Sequence, residues 1–210
     1  MPSAVRKFWV LLALGVAVVA VTFGMRAWLN SVGADGEVIG IPFGQLVIVL
    51  ALIFSDRLGL PKLRWSGCVL KGLFMGVGAS LLAYLWGVLM AFYGAPLQDQ
   101  PILLKISSAG PLEFALLGMV AGIFGPFVEE VYFRGWWQGV LAQTLSPGSA
   151  IILVAFVFAV LHGVPLLLPG LWIAGCIFGI TAYRWGLTAA IVAHAVFNSV
   201  TIVAARSGLT

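Results

Sequence analysis

The chain has 210 residues, 62% hydrophobic and only 9% charged, with a formal net charge of +4 and a mean hydropathy of +1.12. Soluble domains carry about 45–50% apolar residues, so composition excludes a soluble globular protein, and the length suits one integral membrane domain over residues 1–210. Its 11 Lys and Arg form no cluster of the kind nucleic acid requires, which leaves the lipid bilayer as the partner that composition implies.

Seven apolar segments follow in chain order, and they predict an all-α polytopic transmembrane bundle of about seven (six to eight) helices. The first covers residues 7–28. Its apolar run from Phe8 to Phe23 exceeds the ~7–15 residues of a signal-peptide core and ends in no small-residue cleavage site, so it reads as a membrane helix. The second covers 39–54 and the third 67–92. The fourth, 112–143, is too long for one simple span. The fifth, sixth and seventh cover 148–162, 170–183 and 187–204.

The stretches VGADGE and YGAPLQDQP read as polar loops and DRLGLPKLR as a basic one. GVPLLLPG, directly after His162, carries two prolines and two glycines and must end the fifth helix. Cys68 and Cys176 lie near apolar segments with no partner motif and read as small buried hydrophobes. With the amino terminus inside, Arg6, Lys7, Arg57, Lys62, Arg64, Lys71 and Arg184 fall on the inner side, against Arg26, Lys105 and Arg206 outside. That asymmetry predicts a cytoplasmic amino terminus and an outer carboxy terminus, in the plasma membrane if the source is prokaryotic.

Ionisable groups inside membrane helices are costly and therefore mark functional sites. They are Glu113, Glu129, Glu130, Arg134, His162 and His194, the two histidines being the only ones in the chain. In EEVYFR, Glu130 and Arg134 stand four apart and can pair on one helix face. Glu129 is rotated from its neighbour by about 100° and is left without an obvious local partner. FAVLH sets Phe158 and His162 on one face, and HAVFN does the same for His194 and Asn198. Counting about 1.5 Å per residue, Glu129 and His162 lie roughly 22 and 21 Å from the inner ends of their helices, and His194 and Asn198 roughly 10–16 Å. A convergent polar site within the membrane is feasible.

No HExxH zinc motif and no Gly-x-Ser-x-Gly serine is present. A carboxylate and an imidazole sharing a water could act by general-base hydrolysis. An imidazole and a carboxamide could hold the resulting oxyanion.

The three motifs, in this order, resemble the EExxxR, FxxxH and HxxxN motifs of the CAAX protease and bacteriocin-processing (Abi) family. These are the type II CAAX prenyl endopeptidases, glutamate-dependent intramembrane proteases. The resemblance extends over residues 112–204. It implies that Glu129 and His162 activate water, that His194 and Asn198 stabilise the oxyanion, and that Glu130 and Arg134 support them. It also implies chemistry without a metal cofactor and a membrane-associated protein or peptide as substrate. Two other readings stay open on the residues alone. One is a non-catalytic immunity or scaffold protein of the same fold. The other is a peptidase with zinc on Glu129, His162 and His194, three plausible ligand types that come here from three different helices.

Overall fold

The computed structural model describes residues 3–63, 65–94 and 101–208. Arg64, the loop stretch Ala95–Gln100 and the carboxy-terminal Thr210 lie outside the described residues. All seven apolar segments are helical, and no strand occurs among the described residues. We label the helices α1 (Ser3–Ser31), α2 (Gly36–Ile53), α3 (Val69–Phe92), α4 (Pro101–Ser108), α5 (Pro111–Leu141), α6 (Pro147–Leu161), α7 (Leu168–Trp185) and α8 (Leu187–Arg206). Five of them (α1, α3, α5, α7 and α8) are long and apolar enough to cross a membrane. Together with the shorter apolar α6 and the second half of α2, they make up the all-helical membrane bundle expected.

The helices fall into two compact units, Met1–Lys62 and Leu63–Thr210. In the first, α1 and α2 pack antiparallel, with Gly36, Gly40 and Gly44 approaching Arg26, Thr22 and Val18. The Asn30 carboxamide oxygen accepts from the Gly36 N–H (2.9 Å) and closes the turn between them.

The second unit holds α3 to α8. α3 meets α8 through Gly72 and Gly76, where any Cβ would run into the Ala189 and Ala193 carbonyls and the side chains of Val192 and Val196. Small residues let helix backbones approach this closely, which is how membrane helices gain packing energy without a hydrophobic drive. Small and aromatic residues fill the core between α3, α6, α7 and α8: Ala79, Ala159, Ala174, Phe178, Ala193 and Phe197.

α5 runs unbroken from Pro111 to Leu141, but its hydrogen-bond register widens to π over Val120–Phe124 and again over Val131–Trp137. These two stretches flank the glutamates, in keeping with the tendency of π turns to occur at functional sites. α6 starts cleanly: Pro147 takes the first helical position and the Ser146 hydroxyl accepts from the Ser149 N–H (3.1 Å). With 15 residues α6 is about 22 Å long, short of the ~30 Å hydrocarbon layer. It ends at His162, and Gly163 then turns the chain in a left-handed conformation (φ 69°). Non-helical backbone in an apolar setting needs hydrogen-bond partners. The Trp86 indole supplies one by donating to the Leu166 carbonyl (2.9 Å).

Three expectations change. Residues 101–108, which belong to none of the seven apolar segments, form the short helix α4. Glu113 is not buried in a span. It sits in the first turn of α5, half-exposed, where an acidic group suits the helix N-terminus, and pairs with Lys105 at 3.5 Å. Cys68 is exposed, because it caps the start of α3 instead of lying within it, and Cys176 is only part-buried.

Candidate active site

Glu130 is fully enclosed, with no exposed surface. Its Oε1 accepts from Arg134 Nη1 (2.8 Å), the i,i+4 pair expected from the sequence, and also from His194 Nδ1 (2.9 Å) on α8. One oxygen thus ties α5 to α8. Arg134 Nη2 donates to the Gly175 carbonyl of α7 (3.0 Å), and one turn further along Gln138 donates to the Gly179 carbonyl (3.1 Å). The Arg134 guanidinium lies over the rings of Phe158 (4.7 Å), Phe178 (5.5 Å) and Phe133 (5.8 Å). Buried charges require pairing of this kind, and aromatic faces add electrostatic attraction.

His194 is 1% exposed. Its ring stacks on Phe178 at 4.6 Å with the planes 19° apart, while Phe158 meets it edge-on at 5.5 Å. With the ring packed between these two aromatics and Nδ1 donating to Glu130, the imidazole has one orientation. Its Nε2 points toward Glu129, whose Oε2 is 3.9 Å away. That gap is too long for a direct hydrogen bond and is of the size one water can bridge. The Glu129 side chain is 29% exposed, so unlike Glu130 it is open to its surroundings. Among the described residues, the imidazole within 4 Å of Glu129 is His194 and not His162.

His162 Nδ1 donates to the Phe158 carbonyl one turn back (2.8 Å), and the two rings touch at 4.6 Å. This bond fixes the tautomer, since a carbonyl can only accept. Neutral His162 therefore carries its lone pair on Nε2.

Asn198 Nδ2 donates to the Ala121 carbonyl of α5 (2.8 Å). The sequence explains why that carbonyl is available. In the π register of Val120–Phe124, the Gly125 N–H returns to the Val120 carbonyl. The next donor in the same register would serve Ala121, and it falls at Pro126, which has no N–H. The Asn198 amide takes its place.

His162, His194 and Asn198 line one cavity of about 70 Å³, whose remaining walls include Phe158, Leu171 and Phe197. Its lining, mostly apolar with a few convergent polar groups, has the composition usual for a ligand site, while its volume is that of a subsite for a small group and not of a whole-ligand pocket of roughly 300–1,000 Å³. Glu129 is not on its wall, and it adjoins the site through His194 Nε2. Glu129, Glu130, Arg134, His162, His194 and Asn198 therefore fall in one region, linked by α5, α6 and α8. Sequence reasoning missed the Phe178 platform under His194, which reads as one more core aromatic. It also missed the Ala121, Gly175 and Gly179 carbonyls, of which only Ala121 had a legible signal, Pro126. No group of three His, Cys, Asp or Glu side chains among the described residues is arranged to hold a metal ion.

Apolar helices enclosing a polar cluster make this an integral membrane protein. Residues 111–200 match the family model of the type II CAAX prenyl endopeptidases, Rce1-like, and the resemblance read from the three motifs is borne out over that stretch. No curated protein and no solved structure matches the chain.

Proposed function

We propose that the protein is an intramembrane endopeptidase that hydrolyses a peptide bond in a membrane-associated protein or peptide. The substrate would be of the CAAX, bacteriocin-precursor or sorting-tail kind. The observation that carries this reading is the fixed His194, held by Glu130 on one nitrogen, facing Glu129 with the other, and sharing a cavity with His162 and Asn198.

In the proposed reaction Glu129, with His162, takes a proton from water as its oxygen attacks the carbonyl carbon of the scissile bond. The tetrahedral oxyanion is stabilised by the second N–H of the Asn198 amide and by His194, which, with Nδ1–H held by Glu130, donates from Nε2 as the imidazolium. This is the electrostatic contribution that acyl transfer most depends on. Collapse breaks the C–N bond, the proton passes from Glu129 to the leaving amine, and an acid and an amine depart. Glu130 and Arg134 act as positioning residues, because their contacts fix the His194 ring. Both imidazoles commit Nδ1 to a protein acceptor, which leaves each Nε2 as the atom able to exchange a proton with water or substrate.

The reading assigns no metal to the reaction, since its acid–base steps are complete with Glu129, His162, His194 and Asn198. Cleavage of tail peptides by the purified protein should proceed at the same rate in EDTA or phenanthroline as without. Stoichiometric zinc in the active protein, with activity lost on its removal, would shift the assignment to a zinc peptidase.

Orientation follows the basic-residue asymmetry: the amino terminus is cytoplasmic and the carboxy terminus external. Single cysteines placed at Ser3 and at Ser207, each in a background lacking Cys68 and Cys176, should react with an impermeant thiol reagent from opposite sides of sealed vesicles. Reaction of both from one side would exclude an odd number of crossings.

A further inference from the structure

The cavity has one wall that precedes the stretch matching the family model. Ile102 and Leu103 of α4 line it together with His162, His194 and Asn198. The α4 sequence, PILLKISS, puts Ile102, Leu103 and Ile106 on one side of a short helix. Ile106 is fully buried, whereas Leu104 on another face is 54% exposed. Polar contacts help to seat the helix. Arg206, in the last turn of α8, donates to the Ser107 carbonyl (2.7 Å) while its guanidinium covers the Phe114 ring of α5 at 5.4 Å. Lys105 pairs with Glu113 at 3.5 Å. Both contacts are partly exposed and hold a helix of only eight residues.

We infer that α4 is the size-selecting wall of the site. Ile102 and Leu103 set how large a group can enter beside His194 and Asn198, and Arg206 is the positioning residue that holds the wall closed. This rests on the reading of the cavity as a peptidase site only for the identity of the group, a substrate side chain next to the cleaved bond. Any group that fills the cavity meets these two residues. Specificity in an apolar pocket works by such exclusion, and one methylene too many or too few changes rates by about ten- to two-hundredfold.

The experiment uses the full chain in detergent with Cys68 and Cys176 replaced by Ser and a reporter cysteine at Thr201, which lines the cavity and has no proposed catalytic role. Reaction is timed with a small methanethiosulfonate and with a bulky maleimide dye. Leu103→Ala should speed the bulky reagent on the order of tenfold and change the small one little. Leu103→Trp should slow both. Arg206→Ala should behave like Leu103→Ala, and Arg206→Lys should return toward the parent. If Arg206→Ala does not fold, the two Leu103 variants and Glu113→Gln, which removes the ion pair with Lys105, carry the test. Rates unaffected by the Leu103 variants would overturn the inference. The same proteins without the reporter are given peptides in which the residue beside the cleaved bond is Ala, Val, Leu or Phe. Leu103→Ala should shift preference toward the larger side chains, more in KM than in kcat. If labelling follows Leu103 and no peptide is cleaved, the wall stands and the peptidase reading fails. If peptides are cleaved and neither labelling nor preference follows Leu103, the wall fails and the peptidase reading stands.

Discussion

Glu129→Gln is expected to lower the rate of peptide hydrolysis per folded molecule by at least ~10²-fold, the scale of losing a general base, with little change in melting temperature. The carboxamide has the shape of the carboxylate but cannot take the proton from water. The substitution is mild structurally because Glu129 is part-exposed, and the 3.9 Å that separates it from His194 Nε2 is not a direct hydrogen bond. The cluster of Glu130, Arg134 and His194 stays closed without it. The measurement is initial rate normalised to folded protein, with substrate-peptide binding followed separately to show that the loss lies in kcat. A Glu129→Gln protein that hydrolyses at the parent rate would remove Glu129 from the chemistry.

Glu130→Gln should act through stability. Glu130 and Arg134 have no exposed side-chain surface, and their contact is 2.8 Å. The carboxamide that replaces the carboxylate could still accept through its oxygen, but the guanidinium would keep a full charge among Phe133, Phe158 and Phe178 with no anion bonded to it. Removing one partner of a buried ion pair costs about 3–5 kcal/mol, far more than a surface pair contributes. His194 would also lose the charged acceptor that orients its Nδ1–H. A clear fall in melting temperature is therefore expected, with the surviving folded fraction showing reduced kcat through a loosened imidazole. The two glutamates then separate: one variant is stable and inactive, the other unstable. If Glu130→Gln is as stable as the parent and inactive while Glu129→Gln is active, the roles of the two carboxylates are exchanged.

The pairing of Glu130 with Arg134 was legible because an i,i+4 spacing on a helix is a local rule, and it survives even where the register widens to π. The neighbours of Glu129 were not. Rotation by about 100° from Glu130 says which way the side chain leaves the helix, but not which helix stands there. The answer, His194 at 3.9 Å, depends on how α8 packs against α5. His194 and Asn198 share a helix face and a cavity as their spacing implied, yet each also holds a separate partner on α5, Glu130 and the Ala121 carbonyl. The second partner exists because of a π turn followed by Pro126, a combination that helical periodicity does not reveal.

By itself the sequence determined the membrane class, the seven helical segments, the three motifs and their family resemblance, because hydropathy and residue spacing are properties of contiguous chain. Hydrocarbon offers no hydrogen bonds, so an apolar run of sufficient length has little choice but to be helical. Tertiary structure decided which polar groups meet, since a hydrogen bond depends on ångström-scale approach between helices far apart in sequence. It alone set Phe178 beneath His194, aligned the Gly175 carbonyl with Arg134, and placed Ile102 and Leu103 in the cavity wall. α4 escapes a reading of the sequence for a related reason. Eight residues are too few to span a bilayer or to hold a helix alone, so their helix follows from packing against neighbours that only the folded chain supplies.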